Sequence, residues 1–378
     1  MDAQPLRVLL TGGGTGGHVY PALAVASELR RLVPAVEFLY AGTREGLEAR
    51  IVPASGLTFR SIRARGFIGK RPLDAARALL ELARGYRTAL ALVRAFRPHV
   101  VLGTGGYVMV PVVLAAARCR VPVVLHEQNA LPGVANRWLS RYAAAVAVPF
   151  EEARAAFPRA GRVVVTGNPT RPELLEAGTA AARRELGLDP DRPVVLITSG
   201  SRGARSINRA AVEWIAAGPV PAQVLLSTGH GYHAEVVRGL SAAGLDARAL
   251  AERGVTVVPY IDRMDLALAA ATLAVTRAGA LTIAELTVRG VPAILVPSPN
   301  VTHDHQRRNA EVLQRAGAAV LLPDAELSGD RLGRLVSELL ADGARLEAMA
   351  RAARSLGRPD AGRRVARLLL EAAGGRDR

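Results

Sequence analysis

A single cysteine, Cys119, in 378 residues leaves no partner for an internal disulfide, and no Cys/His cluster shows zinc-like spacing. That usage fits a reducing, cytosolic setting. Lysine is nearly missing too: Lys70 stands alone, and arginine supplies the rest of the 49 basic residues. Codon composition alone can produce the preference for arginine, but it does not account for the net charge of +16, which favours anionic partners such as nucleotides, phospholipid head groups or nucleic acid. The basic residues concentrate on one helical segment with no aromatic stacking pattern, which counts against nucleic acid. Long hydrophobic runs are absent. Stretches such as Val108 to Ala117 stop well short of the roughly 18 to 20 residues that span a bilayer. The opening Met1-Asp2-Ala3-Gln4-Pro5 runs at once into strand-like Leu6 to Leu10, with no basic n-region, apolar h-region or cleavage site, so no export signal is expected.

Half of the residues are hydrophobic, and a chain of this length suits two domains with a cleft between them. Short β-branched runs alternate with Ala/Leu-rich helical stretches, at Arg7 to Thr11, Glu37 to Ala41, His99 to Gly103, Pro122 to His126, Ala145 to Val148 and Arg162 to Gly167. This is the βαβ rhythm of a parallel sheet. After Gly167-Asn168-Pro169-Thr170-Arg171-Pro172 the rhythm restarts at Pro193 to Ser199 and continues through Gln223 to Ser227, Thr256 to Pro259, Leu273 to Thr276 and Ala293 to Pro297. Each half opens with a buried-type strand, a glycine-rich turn and a helix. The expectation is an α/β protein of two doubly wound, Rossmann-like domains, 1–164 and 165–356, with a last helix at about 357–378 that returns to the first.

Gly12-Gly13-Gly14-Thr15-Gly16-Gly17-His18 stands where a strand meets a helix, so backbone N–H groups can face an anion with no Cβ in the way. It is not the dinucleotide fingerprint, because no acidic residue closes a second strand about 20 residues on: Glu37 precedes its strand and position 42 is glycine. It is not a P-loop either, since no Lys-Ser/Thr follows. A phosphate cradle and a merely tight turn both remain open. His18 suits a general base acting on a hydroxyl, or a residue that simply hydrogen-bonds the loop.

A second glycine turn, Gly103-Thr104-Gly105-Gly106-Tyr107, falls at the same sheet edge, and His126-Glu127-Gln128-Asn129 closes the next strand with four polar side chains. Sugar hydroxyls need such directional partners, which favours sugar binding over the alternative of a structural polar network. The second half repeats the anion design at Ser199-Gly200-Ser201-Arg202-Gly203-Ala204-Arg205, where Arg205 is either a ligand contact or a solvated helix charge. Arg277 to Glu285 places a carboxylate in the first turns of a helix, suited to ribose hydroxyls or to the helix dipole. In His303-Asp304-His305-Gln306-Arg307-Arg308-Asn309 the spacing matches no standard metal site, so no metal and no cofactor are expected.

From Arg60 to Arg97 ten basic residues face only Asp74 and Glu81, a net of +8 and half of the chain's surplus. Leu79, Tyr86, Leu90 and Val93 form a core-like stripe along the helix there. Arg63, Arg65, Lys70 and Arg71, with Phe67 and Ile68 between them, read as a dock for anionic lipid head groups or as a solvated basic face.

Taken in order, Gly13 to Pro21, Gly105-Gly106-Tyr107, His126 to Asn129, Gly167 to Arg171, Gly200 to Ala204, Gly279-Ala280-Leu281-Thr282-x-x-Glu285 and Asp304-His305-Gln306-x-x-Asn309 resemble the MurG family of bacterial peptidoglycan glycosyltransferases along the whole chain. The resemblance implies a GT-B fold and the inverting transfer of N-acetylglucosamine from UDP-N-acetylglucosamine to lipid I. It implies donor contacts from Thr15, Gly16, Gly17, Asn129, Arg171, Ser201, Ile261, Ala280, Leu281, Thr282, Ile283, Ala284, Glu285 and Gln306, with Glu285 on the ribose and Gln306 on the sugar. Gly14, Gly105, Gly106 and Tyr107 would face the acceptor's pyrophosphate, and His18 would be the base with Glu127 as understudy. The basic stretch would dock on the inner membrane leaflet, in the company of other cell-wall synthesis proteins. One loop departs from the family pattern: Ser199 precedes Gly200-Ser201 where Gly-Gly-Ser is usual, which touches the backbone path near the α-phosphate. The rival readings are a UDP-N-acetylglucosamine 2-epimerase of the same build and a binding protein without catalysis.

Overall fold

A computed structural model of the protein describes residues 5–65, 72–200, 203–301 and 304–374, with the side chains of 72–78 and 172 left out. The chain divides into two compact units, Met1–Thr170 with Arg358–Arg378, and Arg171–Gly357. The division falls beyond the expected 164/165. The reason is that the strand Val163–Val165 pairs with Ala145–Val148 and so belongs to the first sheet.

The first sheet contains β1 (Leu6–Thr11), β2 (Val36–Gly42), β3 (Thr58–Ser61), β4 (Val100–Gly103), β5 (Val123–His126), β6 (Ala145–Val148) and β7 (Val163–Val165), in the order β3-β2-β1-β4-β5-β6-β7 with every pairing parallel. Val8, Leu9 and Leu10 are fully buried, as are Val100, Val101 and Leu102. Helices cover both faces, and so these strands read as unbroken apolar runs instead of alternating ones. Strand order reverses between β1 and β4, whose ends align at Thr11 and Gly103. Ligands of doubly wound sheets bind outside the strand ends at such a reversal.

The helix Gly16–Leu32 follows β1 and buries Val19, Ala22, Val25, Ala26 and Leu29, a stripe at helical spacing. The last helix, Ala361–Gly374, lies against it and adds Val365, Ala366, Leu368 and Leu369 to the same core as Val8 and Leu10. In the helix Pro72–Phe96, Val93 is buried and Tyr86 and Leu90 pack against the core, but Leu79 is 61% exposed and leaves the stripe on which its spacing put it.

The second sheet holds β8 (Val194–Thr198), β9 (Gln223–Ser227), β10 (Val255–Val258), β11 (Leu273–Thr276), β12 (Ala293–Leu295) and β13 (Ala319–Leu321), ordered β10-β9-β8-β11-β12-β13 and again parallel. Its reversal lies between β8 and β11, which end together at Thr198 and Thr276. No described helix is long and apolar enough to cross a membrane.

Candidate active site

In the first unit two glycine turns interlock at the β1/β4 edge. Thr104 N–H donates to Thr11 O at 2.9 Å, Gly13 N–H donates to Gly105 O at 3.4 Å, and the Thr104 hydroxyl donates to His18 O at 2.6 Å. Gly105 and Gly106 have positive φ, 116° and 77°. A Cβ on Gly106 would stand 2.5 Å from Gly13 O, and one on Gly105 would stand 2.6 Å from His18 Nδ1. These glycines are therefore required by turn-on-turn packing as well as by conformation.

Sequence reasoning missed the group beneath the first turn. Glu48 is fully buried; its Oε1 accepts from Thr43 N–H (3.0 Å) and the Thr43 hydroxyl (2.6 Å), and its Oε2 accepts from Gly14 N–H (3.3 Å). Gly14 stands at the exposed tip, but with its N–H turned to Glu48 it offers a ligand close backbone approach and not a free donor. The first N–H groups of the helix, those of Gly16 and Gly17, precede any helical partner one turn back. The Tyr40 hydroxyl donates to Gly12 O at 2.8 Å, and burial, aided by nearby Glu48, holds it well above the usual phenol range.

His126, Glu127 and Gln128 are all buried. Glu127, expected as a second candidate base, has another task. Its Oε1 accepts from the N–H groups of Gln128 (2.9 Å) and Asn129 (2.9 Å) and from Asn129 Nδ2 (3.2 Å), and its Oε2 from Gly133 N–H (3.0 Å) and Asn136 Nδ2 (2.8 Å). Five donors saturate a carboxylate, so Glu127 organises the loop after β5 and has no lone pair to spare for a substrate proton. His18, by contrast, is half-buried at the turn, with Nδ1 2.9 Å from Gln128 Oε1.

Burial, with His18 adding repulsion, depresses the pKa of His126 to about 4, against a smaller opposing effect of its bond to Gly167 O. Between that value and the ordinary 6.5 the unfolded chain binds a proton that the folded chain refuses. Stability is therefore expected to fall as pH drops below 6.5, by roughly 2 kcal/mol at about pH 5 from this group alone. Urea unfolding at about pH 7 and about pH 5 should show a smaller drop in His126→Asn, which has nothing to protonate there. Equal drops in both proteins would contradict this account.

In the second unit, β8 runs into Ser199-Gly200 and the helix Arg205–Ala217; Ser201, expected at the donor phosphates, and Arg202 lie outside the described residues. Arg205 is a surface charge, 3.1 Å from Glu235 and over the Tyr232 ring. At the end of β11, Gly279 caps the helix Ala280–Arg289. Glu285 on that helix is 20% exposed at its side chain and meets Arg171 at 3.5 Å. Burial raises its pKa, opposed by the Arg171 charge. Ala280, Leu281 and Thr282 are half-buried, whereas Ile283, Ala284 and Ile261 are buried. Gln306 Oε1 accepts from Ser298 N–H at 2.9 Å, which turns its amide nitrogen into the end a ligand can use.

A further scaffold was not evident from sequence. The Arg277 guanidinium bonds Asp324 (2.6 Å), the Ser206 hydroxyl (2.8 Å) and the carbonyls of Val296 (3.1 Å) and Pro297 (3.2 Å), clamping the β11 turn to its neighbours. A cavity of about 630 Å³ in this unit is lined by Arg171, Glu173, Glu185, Asp262, Arg263 and Asp265, so of the expected donor residues it shares only Arg171. Among the described residues no group of three His, Cys, Asp or Glu is placed to hold a metal; His303 lies outside them.

Of the expected membrane residues, Arg63 and Arg65 are exposed, while Phe67, Ile68, Lys70 and Arg71 lie outside the described residues. Tyr107 is 39% exposed beside the second glycine turn, and Asn129 is tied to Glu127.

Two family models cover most of the chain: the Glycosyltransferase family 28 N-terminal domain matches residues 8–148, and the Glycosyltransferase family 28 C-terminal domain matches 194–365. A UDP-N-acetylglucosamine--N-acetylmuramyl-(pentapeptide) pyrophosphoryl-undecaprenol N-acetylglucosamine transferase of Moorella thermoacetica is 46% identical over 97% of this chain and 99% of its own length. The crystal structure of Acinetobacter baumannii MurG superposes with a TM-score of 0.79 at 30% identity, covering 97% of this chain and all of that one. The chain belongs to the MurG family of glycosyltransferase family 28. A UDP-GlcNAc 2-epimerase from Neisseria meningitidis also matches, with a TM-score of 0.66 over 97% of this chain and all of that one. At 16% identity it shares the fold alone. Both MurG-family domains here are doubly wound GT-B units, and in each the glycine turns stand at the strand-order reversal.

Proposed function

We propose that this protein transfers N-acetylglucosamine from UDP-N-acetylglucosamine to the 4-hydroxyl of MurNAc in undecaprenyl-pyrophosphoryl-MurNAc-pentapeptide, lipid I, forming lipid II with inversion at the anomeric carbon. The observation that carries the reading is the 46% identity, over nearly the full length of both chains, with a relative named for that transfer. In the mechanism, His18 removes the proton of the acceptor hydroxyl as oxygen attacks from the face opposite UDP. The bond from the anomeric carbon to the UDP oxygen breaks, and UDP leaves as the anion. Arg171 and the start of the helix after Ser201 meet that charge. Glu285 accepts hydrogen bonds from the ribose hydroxyls, and the Gln306 amide nitrogen donates to the sugar. Gly105, Gly106 and Tyr107, with the first turn, hold the acceptor pyrophosphate.

The enzyme works as a peripheral protein on the cytoplasmic face of the cell membrane, with Arg63 and Arg65 in the basic stretch that meets anionic lipid. Its product serves cell-wall synthesis, and through it cell shape and division. The test is UDP release from UDP-N-acetylglucosamine with and without a lipid I analogue. Release only with the acceptor, and a labelled disaccharide-lipid product, are expected. Isomerisation of the donor sugar without acceptor would instead establish the epimerase reading.

A further inference from the structure

Gln128 touches His18 from 110 positions away, and its amide can be oriented without ambiguity. One end lies 2.7 Å from Thr104 O and 3.0 Å from His126 O, and backbone carbonyls only accept. That end must be the NH2 group, so the end facing His18 is the carbonyl oxygen. An amide oxygen 2.9 Å from His18 Nδ1 can only accept, so Nδ1 carries the proton and Nε2 keeps its lone pair.

The same logic runs one residue further. His126 Nε2 lies 3.4 Å from Gly167 O and must be its protonated nitrogen; His126 Nδ1 then accepts from Gln128 Nε2 at 2.9 Å. Gln128 Nε2 has two hydrogens for three acceptors, so His126 O and His126 Nδ1 share one while Thr104 O takes the other. The hydrogen bonds point one way throughout: His18 Nδ1–H to Gln128 Oε1, Gln128 Nε2–H to His126 Nδ1, His126 Nε2–H to Gly167 O. A proton on His126 Nδ1 would set two donors against each other. Full burial keeps that ring neutral, consistent with its depressed pKa.

We propose that Gln128, oriented by His126, Thr104 and the Gly167 carbonyl, is a positioning residue that holds His18 in the tautomer whose Nε2 is the proton-accepting atom. The role rests on His18 being the base, but the wiring can be tested apart from it. In 15N–1H correlation spectra of the histidine-labelled protein, with His18 assigned by comparison with His18→Gln, the neutral His18 ring is expected to show a protonated Nδ1 and an unprotonated Nε2. Gln128→Leu should let the other tautomer accumulate and lower kcat about tenfold, with the donor KM changed less than twofold. A wild-type spectrum with the proton on Nε2 overturns the proposal, and needs no Gln128 variant to fold. So does a Gln128→Leu enzyme with unchanged tautomer and kcat. Failure of the function reading looks different: the tautomer is as expected, yet His18→Gln turns over normally.

Discussion

His18→Gln is expected to lower kcat by about 10²–10⁴-fold while leaving the affinity for UDP-N-acetylglucosamine nearly unchanged, because a positioned general base contributes on that scale. The size follows from what remains when the imidazole is gone. The glutamine amide cannot accept a proton, and Glu127 cannot take over, since five donors occupy its two oxygens. The direction of the KM effect follows from location. The charged side chains proposed to hold the donor, Arg171 and Glu285, belong to the second unit, and His18 to the first. Single-turnover rates with saturating donor and a lipid I analogue, paired with calorimetric titration of the donor, separate the two effects. Near-normal turnover with intact donor binding would remove His18 from the chemistry.

Glu285→Ala is expected to weaken donor binding about 100-fold, equivalent to roughly 2.7 kcal/mol. A hydrogen bond to a charged acceptor contributes about 1.5–3 kcal/mol, and Glu285 is assigned two ribose hydroxyls; loss of its pairing with Arg171 costs the free protein something as well, so the net falls below the sum. The side chain is only 20% exposed, which limits water as a substitute partner. The same burial gives the interaction a pH signature. Burial raises the Glu285 pKa and Arg171 opposes the rise, with the balance upward. The carboxylate must be charged to accept both hydroxyls, so donor affinity should decline with falling pH earlier than an ordinary glutamate would dictate. Titration of UDP against wild type and Glu285→Gln over a descending pH series tests both parts. Identical pH dependence in the two proteins would detach Glu285 from the nucleotide.

Much of the fold was legible because its signals are local. Val8 to Leu10 and Val194 to Ile197 are apolar without interruption since both faces of each sheet are covered, and each runs into glycine where the chain must turn sharply at a strand end. The restart after residue 172 announced a second sheet, and Arg162 to Gly167 was read with the first, although the expected boundary at 164/165 cut through β7. His18, Glu285 and Gln306 could be proposed as site residues because strand, turn and helix follow one another in the chain and motif order points to a family. Leu79 shows where periodicity stops being informative: it shares a helical stripe with Val93, but it and Leu80 face solvent.

Sequence by itself determined the two doubly wound halves, the glycine turns at their strand ends and the family to which they belong, since short-range pattern and residue order carry those properties. Only the tertiary structure decided what the polar residues do. Glu48 is 34 positions from the Gly14 N–H it accepts, Gln128 is 110 from His18, and Arg277 is 47 from Asp324. A carboxylate saturated by five donors and one open to a substrate are the same letter in a sequence; the partners that tell them apart are gathered by the sheet edge, where residues remote in the chain come within hydrogen-bonding reach.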